Sequence, residues 1–228
     1  MLTAAGAGIY YYMPKQPTLE ISAMEDVTDF QLAQPQANEI IPLYGLSSNK
    51  WNGAEFRFQN ISNVSYNPVT EASLLPANEW LSNEYDRDND IKSFTGQVQK
   101  IITDSMPAKI GRWHSSVYLP IANELNLLSQ SSSQRKILLI YSDLMENDTN
   151  FSLYNKHTFS LLKSDPSKVK EHFDAMQHLN NLNGVEVYLI YQAKDNCSDL
   201  KYQILSGFYK TLLENAGAKV TITANLTN

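Results

Sequence analysis

Residues Lys136-Ile137-Leu138-Leu139-Ile140-Tyr141-Ser142-Asp143 decide the fold of this chain. The residues from 137 to 140 are all apolar and do not alternate with polar ones, which is typical of a parallel strand buried on both faces. This run is followed by a hydroxyl and a carboxylate, those of Ser142 and Asp143. Because ligands of open α/β sheets bind outside the carboxyl ends of the strands, we expect a functional site at this end.

The segments that flank this strand alternate between helical and extended patterns. A helical pattern at 117–128 precedes it, and a second one at 165–179 follows it. Further along the chain lie an extended run at 185–191, a helical pattern at 198–213 and another extended run at 219–224. Such an alternation predicts a three-layer α/β/α domain with a mostly parallel sheet and right-handed crossovers.

The first half of the chain predicts one antiparallel hairpin in the same sheet. Alternating residues at 19–23 indicate a first strand, and residues 36–46 indicate a helix that Pro42 kinks or shortens. A period-two pattern at 54–61 predicts another strand, and residues 65–75 are expected to fold back as its partner. The predicted fold class is therefore α/β, with one antiparallel strand in an otherwise parallel sheet.

Residues 76–90 are predicted to form a loop with two acidic clusters, ahead of a helix that carries Ile91. The loops and the hairpin of the first half also carry aromatic residues, namely Tyr66, Trp80, Tyr85, Trp113 and Tyr118. If several of them are exposed together, they form a protein-binding patch surrounded by acidic residues, namely Glu79, Glu84, Asp86 and Asp88. The alternative, packing in the core or in loops, is favoured for any single one of them.

The composition limits the classes of function. The chain has 228 residues and a net charge of −6, which suits one α/β domain and provides no basic stripe for nucleic acid. Cys197 is the only cysteine, so an internal disulfide and a cysteine-based metal site are excluded. A cation or a basic partner surface suits the negative field better.

We expect an apolar tail at 1–17 and an α/β domain at 18–228. Residues 2–13 are apolar but fall short of the roughly 20 residues that span a bilayer, and they lack the basic start of a signal peptide. Two interpretations stay open for them. They are either the remnant of an anchor that tethers the protein to a membrane or a tail packed on the domain, and the compartment stays open with them.

A second acidic strand end lies near the start of the chain, in Glu25-Asp26-Val27-Thr28-Asp29-Phe30. Carboxylates and hydroxyls that leave the carboxyl ends of two strands converge at the crevice of an open sheet. Asp26 and Asp143 are therefore candidates for an oxygen-lined metal or ligand site. The alternative is that both carboxylates cap nearby helix N-termini and loops.

The order of these motifs resembles that of a von Willebrand factor A-type domain over residues 19–226. In that family a first strand ends in Asp-x-Ser/Thr-x-Ser, a later loop bears a Thr, and a further strand ends in Ser/Thr-Asp. Here Asp26-Val27-Thr28-Asp29-Phe30 resembles the first motif, and Ser115 stands at the Thr position just before a helix. The Ser142-Asp143 pair resembles the third motif.

The resemblance implies a non-enzymatic, adhesion-type or scaffold-type protein-interaction domain with a metal-ion-dependent adhesion site. The implied ligands of Mg²⁺ or Mn²⁺ are Asp26, Thr28, Ser115 and Asp143. Around them we expect a partner-binding rim, namely Ser142, Glu146, Trp113 and Tyr118. In the family, a carboxylate of the protein partner often completes the shell of the ion. Mg²⁺ suits such a set because it prefers six oxygen ligands and keeps several waters.

The sequence departs from the family pattern at two points. Phe30 stands where the family has the last hydroxyl of the first motif, and Ser115 lacks the glycine-rich approach of the family's loop. Both departures favour the absence of the ion over its presence. The rival hypothesis is a small metal-assisted hydrolase or phosphatase-like enzyme that uses Asp26 and Asp143 around a cation. The sequence has no G-x-S-x-G, G-x-G-x-x-G or Walker A motif, so it lacks the marks of a serine hydrolase, a dinucleotide-binding enzyme or a P-loop NTPase.

Overall fold

The structure, a computed structural model, describes residues 18–28, 31–62, 67–105, 115–148 and 151–226. Within these ranges the strands form one six-stranded sheet in the order β3-β2-β1-β4-β5-β6. The strands are β1 Thr18–Asp26, β2 Gly53–Ile61, β3 Val69–Leu74, β4 Arg135–Tyr141, β5 Val185–Ile190 and β6 Lys219–Thr223. β2 and β3 pair antiparallel, and the other neighbouring pairs are parallel. The mostly parallel sheet with one antiparallel strand is therefore confirmed.

Helices cover both faces of the sheet. The described helices are α1 Ala37–Ile40, α2 Glu84–Ser105, α3 Tyr118–Gln130, α4 Lys156–Ser164, α5 Pro166–Met176 and α6 Asn196–Asn215, and a 3₁₀ turn at Ile41–Tyr44 continues α1. Alternate residues of β4 enter different cores. Leu138 and Ile140 belong to the cluster that includes α3, α5 and α6, whereas Ile137 and Leu139 belong to the one that includes α1 and α2. The domain is a three-layer α/β/α structure, as predicted.

The order of the strands reverses between β1 and β4. The strand after β1 lies on one side of this pair, and the strand after β4 lies on the other side. Such a reversal opens a crevice at the carboxyl ends of the two strands. The register pairs Glu25 with Tyr141, so Asp26 and Ser142 come next, at the edge of the crevice.

Helix α2 begins earlier than predicted, because residues 84–90 are helical and not part of a loop. The side chain of Asn83 accepts a hydrogen bond from the backbone N–H of Tyr85 at 2.9 Å, which satisfies a free donor of the first turn. Glu84 and Asp86 in this turn interact favourably with the positive end of the helix dipole. The acidic cluster is therefore a helix start.

Two other predicted helices also differ from the structure. The helix expected at 36–46 is divided into α1 and the 3₁₀ turn, because Pro42 has no N–H to donate. Helix α6 begins at Asn196, ahead of the pattern predicted at 198–213, and its cap is Asp195. The Asp195 side chain accepts a hydrogen bond from the Ser198 N–H at 2.8 Å. Helix α4 has no counterpart in the prediction.

Several residues that the sequence singled out lie outside the described ranges. They are the segment 1–17 and the aromatic residues Phe30, Tyr66 and Trp113. The two interpretations of residues 2–13 therefore stay predictions. In the part of the chain that the structure describes, no helix is both long enough and apolar enough to cross a membrane.

Candidate functional site

The ends of β1 and β4 are joined by hydrogen bonds of the Asp26 carboxylate. Oδ2 of Asp26 accepts a hydrogen bond from the hydroxyl of Ser142 at 2.9 Å. Oδ1 accepts two from Thr28, one from its backbone N–H at 3.0 Å and one from its hydroxyl at 2.6 Å. Asp26 itself is buried. The structure thus brings together three residues that the sequence had singled out, and we call them the Asp26 cluster.

The segment after β4 forms a tight turn held by its own polar side chains. The Ser142 hydroxyl accepts a hydrogen bond from the Leu144 N–H at 2.9 Å, and Asp143 Oδ1 accepts one from the Met145 N–H at 2.9 Å. Leu144 has a φ of 63°, in the left-handed region that non-glycine residues rarely adopt. Backbone strain of this kind clusters at functional sites and persists only where the surroundings impose it.

Asp143 lines a small cavity beside this turn. The cavity has a volume of about 170 Å³, and its lining combines both charges with aromatic groups, namely Asp143, Met145, Tyr154, Tyr191, Lys194, Ser198, Lys201 and Tyr202. Sites for drug-sized ligands and cofactors usually exceed about 300 Å³. A cavity of this size suits a single side chain or a small ion better than a cofactor.

Ser115 reaches the same edge through its backbone. It forms a β-bridge with Asn147, in which the Ser115 N–H donates at 3.0 Å and the Asn147 N–H donates at 2.8 Å. The hydroxyl of Ser115 is buried and has no hydrogen-bond partner among the described residues. Because buried hydroxyls are normally hydrogen-bonded, a hydroxyl in this position normally takes a partner such as ordered water or a ligand.

Glu146 caps helix α3, although it lies in a distant part of the sequence. Its Oε2 accepts hydrogen bonds from the N–H groups of Val117 at 3.0 Å and Tyr118 at 2.7 Å, which the helix start would otherwise leave unsatisfied. Burial raises the pKa of Glu146 to about 7, and these two N–H groups partly oppose the rise. Oε1 has no hydrogen bond of good geometry within the described ranges, although Ser116 is close enough to lower the pKa as well.

The side chains expected to form a partner-binding rim lie inside the protein instead. Ser142, Glu146 and Tyr118 are at most 1% exposed. The ring of Tyr118 stacks on Phe173 at a centroid distance of 4.1 Å, and its hydroxyl donates to a backbone carbonyl at 2.8 Å. These three residues therefore hold the site from within. The fourth expected rim residue, Trp113, lies outside the described ranges.

Two tyrosines of α6 lie beneath the site. The hydroxyls of Tyr202 and Tyr209 are buried and have no hydrogen-bond partner in the described part of the chain. Burial raises the pKa of Tyr209 well above its ordinary value, and neighbouring groups add to the rise, namely Glu146, Tyr118, Asp143 and Asp26. The phenol of Tyr209 thus lies within electrostatic reach of both candidate carboxylates.

Glu25 faces the other side of the sheet from Asp26. Burial raises the pKa of Glu25 to about 7, and the charge of Asp26 adds to the rise. Burial raises the pKa of Tyr141, and the charges of Glu39 and Glu25 add to the rise. Glu25 is not part of the predicted site, although its place before Asp26 at the end of a buried strand is a signal for it.

The candidate ligands suit a hard cation in composition. Carboxylate and hydroxyl oxygens are those that Mg²⁺ and Mn²⁺ prefer. The unpartnered hydroxyl of Ser115 fits a ligand role, whereas both oxygens of Asp26 already accept internal hydrogen bonds. Within the described ranges, no group of three or more His, Cys, Asp or Glu side chains is placed to hold a metal ion. An ion at this edge therefore stays a prediction.

The fold and the site define an α/β domain with a polar site where the order of the strands reverses. No family model matches the chain, and no curated protein matches it in sequence. We therefore infer the function from the geometry of the site.

Proposed function

We propose that this protein is a non-enzymatic protein-interaction domain of the von Willebrand factor A type, which binds a protein partner at the carboxyl ends of β1 and β4. The observation that carries the proposal is the Asp26 cluster, which links the two strand ends where the strand order reverses. The order of elements supports it, because a strand, a helix, an antiparallel hairpin, a serine loop and a Ser-Asp strand end follow one another as in that family.

The Asp26 cluster acts as a frame for the contact surface. Asp26 and Ser142 are buried, and they hold the two segments that follow β1 and β4. The accessible groups near this frame are the half-buried Thr28 and Asp143 and the side chain of Tyr154, which is 56% exposed. A partner meets these groups together with the cavity beside Asp143. Because the frame is preorganised, less entropy is lost on binding.

A divalent ion is the second part of the proposal. Mg²⁺ or Mn²⁺ would be held by Asp26, Thr28, Ser115 and Asp143, and it would supply positive charge for an acidic group of the partner. In the absence of the ion, the Asp143 carboxylate in the lining of the cavity receives a hydrogen-bond donor or a cationic group of the partner. The contact group of the partner is a carboxylate only when the ion is bound.

Thermal unfolding with Mg²⁺ or Mn²⁺ tests the ion. A bound ion raises the Tm because it binds only the folded state. We expect Asp143→Asn to abolish any such rise. The control Asp199→Asn, which changes an exposed carboxylate of α6, should leave it intact. If the wild type shows no rise, the ion is excluded from the proposal, and the partner-binding role remains.

Affinity capture with matched variants tests partner binding. The wild type, Asp143→Asn and Asp199→Asn serve as baits, and the captured proteins are quantified by mass spectrometry. We expect at least one protein that the wild type and Asp199→Asn retain and that Asp143→Asn loses, and the same protein should bind when purified. Equal capture by all baits would contradict the proposal.

A screen with generic phosphoesters and Mg²⁺ separates this function from that of a hydrolase. We expect no turnover, because the carboxylic acids with a raised pKa near the site, Glu25 and Glu146, are buried and do not reach a substrate. Turnover that both Asp26→Ala and Asp143→Asn abolish, in variants that remain folded by circular dichroism, would establish the enzyme instead.

A further inference from the structure

Large apolar side chains lie exposed at the end of the sheet opposite to the Asp26 cluster, where the parallel strands begin. We call them the Trp80 patch, and their exposed fractions are 79% for Leu75, 85% for Trp80, 61% for Leu81 and 73% for Tyr85. They lie between the end of β3 and the first turn of α2. Leu74 pairs with Ala54 at the start of β2, so this is the edge where the parallel strands begin. Large apolar groups exposed along one short stretch of surface mark a candidate interaction site.

The buried guanidinium of Arg87 fixes the base of the Trp80 patch. Arg87 donates to the backbone carbonyls of Lys50 at 2.6 Å, Leu75 at 2.8 Å and Asn52 at 2.5 Å. These hydrogen bonds connect helix α2 to the segment that precedes β2 and to the segment that follows β3. Hydrogen bonds from a charged donor are roughly twice as strong as neutral ones, so the backbone at Leu75 is held in place.

Further hydrogen bonds order the loop that carries the Trp80 patch. The Ala77 N–H donates to the carbonyl of Trp51 at 2.9 Å. The Trp80 N–H donates to the side chain of Asn78 at 2.8 Å, and the Leu81 N–H donates to the backbone carbonyl of Asn78 at 3.1 Å. Apolar anchors on an ordered loop bind at a lower entropy cost than the same anchors on a mobile one.

The surroundings of the Trp80 patch are acidic. The same loop and the start of α2 carry exposed carboxylates, namely Glu79, Glu84, Asp86, Asp88 and Asp90. Lys50 pairs with Glu84 at 3.4 Å and with Asp88 at 3.2 Å, and the charge of Arg87 faces backbone carbonyls. The field at this surface therefore favours a cationic partner.

A groove of about 900 Å³ opens beside the Trp80 patch, between the 3₁₀ turn and α2. Its lining includes apolar residues, namely Ile41, Pro42, Leu46, Trp51 and Ile91, the carboxylates of Glu79 and Asp88, and Lys50, whose ammonium pairs with Asp88. Lysine and arginine have apolar stems and charged ends. A groove with apolar walls and carboxylates suits both parts of such side chains.

We propose that the Trp80 patch and this groove bind a basic segment of a protein partner, with Lys or Arg side chains and at least one aromatic or aliphatic anchor. An anionic membrane does not suit the acidic surroundings, because like charges repel. A symmetric contact with a second copy of this chain would place the same carboxylates opposite one another. The proposal is independent of the function proposed for the Asp26 cluster, which lies at the other edge.

Peptide selection tests this surface. Phage-displayed random peptides are selected on the wild type after depletion on the double variant Trp80→Ser/Leu81→Ser. We expect the selected sequences to be rich in Lys and Arg and to contain Trp, Phe or Leu. Synthetic peptides of these sequences should bind the double variant at least about tenfold more weakly than the wild type. They should bind the control Leu200→Ser, which loses an exposed leucine of α6, as well as the wild type.

A second pair of variants tests the charges separately from the apolar anchors. Glu79→Gln with Asp86→Asn keeps the Trp80 patch, and it should weaken binding and reduce its salt dependence. The matched control, Glu171→Gln with Asp199→Asn, removes the same number of exposed carboxylates elsewhere and should change neither. Circular dichroism melting first establishes that every variant is folded.

Three kinds of result would overturn the proposal. The first is that no sequence is enriched, or that the enriched peptides lack basic residues or bind the double variant equally well. The second is self-association of the wild type in analytical ultracentrifugation that the double variant loses. The third is binding to vesicles of anionic phospholipid that depends on Trp80 and Leu81.

Discussion

At the scale of single residues, two buried carboxylic acids make the stability of the protein depend on pH. Glu25 and Glu146 lie on different faces of the sheet, and burial raises the pKa of each to about 7 from an ordinary value of 4.5. Between about pH 4.5 and about pH 7, the folded protein therefore holds protons on these two groups that the unfolded chain has already released. Stability from these groups is fully present below about pH 4.5 and is lost as the pH rises to about 7.

We expect the free energy of unfolding to fall between about pH 5 and about pH 7, by up to about 1.4 kcal/mol per pH unit for each group. Above about pH 7 the dependence should level off. Glu186, whose pKa is lowered by its hydrogen bond with Arg135, acts at more acidic pH and does not mask the effect. Urea unfolding of the wild type across this range measures it, and a rise in stability through the window would contradict the assignment.

Glu146 offers a test that separates its charge from its role as a cap. Glu146→Gln keeps an acceptor for the Val117 and Tyr118 N–H groups, so it should flatten the pH dependence and stabilise the protein above about pH 7. Glu146→Ala leaves both donors unsatisfied and should cost about 2 kcal/mol more than the glutamine variant. Urea unfolding of both variants at neutral pH measures the difference in their free energy of unfolding. Equal stabilities of the two variants would argue against a capping role of Glu146.

The sequence could not reveal the role of Glu146. A local capping pattern places donor and acceptor within one turn, whereas Glu146 and Val117 are 29 residues apart. The same separation explains why the sequence does not predict that Glu146 and Tyr118 are buried together. By contrast, Asp26 and Ser142 could be paired from the sequence, because the carboxyl ends of adjacent parallel strands meet at one edge.

At the scale of elements, the Ser142 hydroxyl joins the ends of β1 and β4. It donates to Asp26 and accepts from the Leu144 N–H. Ser142→Ala removes both hydrogen bonds in a buried place and should destabilise the protein by about 1–3 kcal/mol. The control Ser73→Ala changes an exposed serine of the edge strand β3 and should stay within about 0.5 kcal/mol. Equal effects of the two substitutions in urea unfolding would show that Ser142 does not couple the strands.

Arg87 joins elements in the same way at the opposite edge. Arg87→Met removes a buried guanidinium and leaves the three carbonyl groups, in partly buried hydrogen bonds, without their charged donor, so it should destabilise the protein by about 2 kcal/mol or more. Lys92→Met, which changes an exposed lysine of the same helix, is the control and should have little effect. Thermal and urea unfolding of both variants measure the difference, and a neutral Arg87→Met would disprove the clamp.

The elements themselves were largely predictable, and the exceptions have local causes. The strand at Ile137–Ile140 and the helices around it follow from patterns within a few residues, which is why the sheet could be predicted. The start of α2 differs from the predicted loop because a cluster of acidic residues suits both a solvated loop and the first turn of a helix, and here Asn83 caps that turn. The exposure of Trp80 and Tyr85 and the burial of Tyr118 depend on tertiary packing, which a periodic pattern does not contain.

At the scale of the whole molecule, the domain presents two different surfaces, one at the carboxyl ends of the parallel strands and one at their amino ends. The carboxyl edge has the Asp26 cluster and a small cavity whose lining carries the Asp143 carboxylate and two lysines. The opposite edge has the Trp80 patch among exposed carboxylates, which suits a basic segment. A domain with two such surfaces can bind two partners at once, in keeping with a role in protein interaction.

The dissociation constant of a captured and purified partner tests the central claim most directly. Calorimetric titrations compare the wild type with Asp143→Asn and with the control Asp199→Asn. If the carboxyl edge is the binding site, the dissociation constant rises at least about tenfold for Asp143→Asn and stays unchanged for the control. The same dissociation constant for all three proteins would contradict a partner site at Asp143.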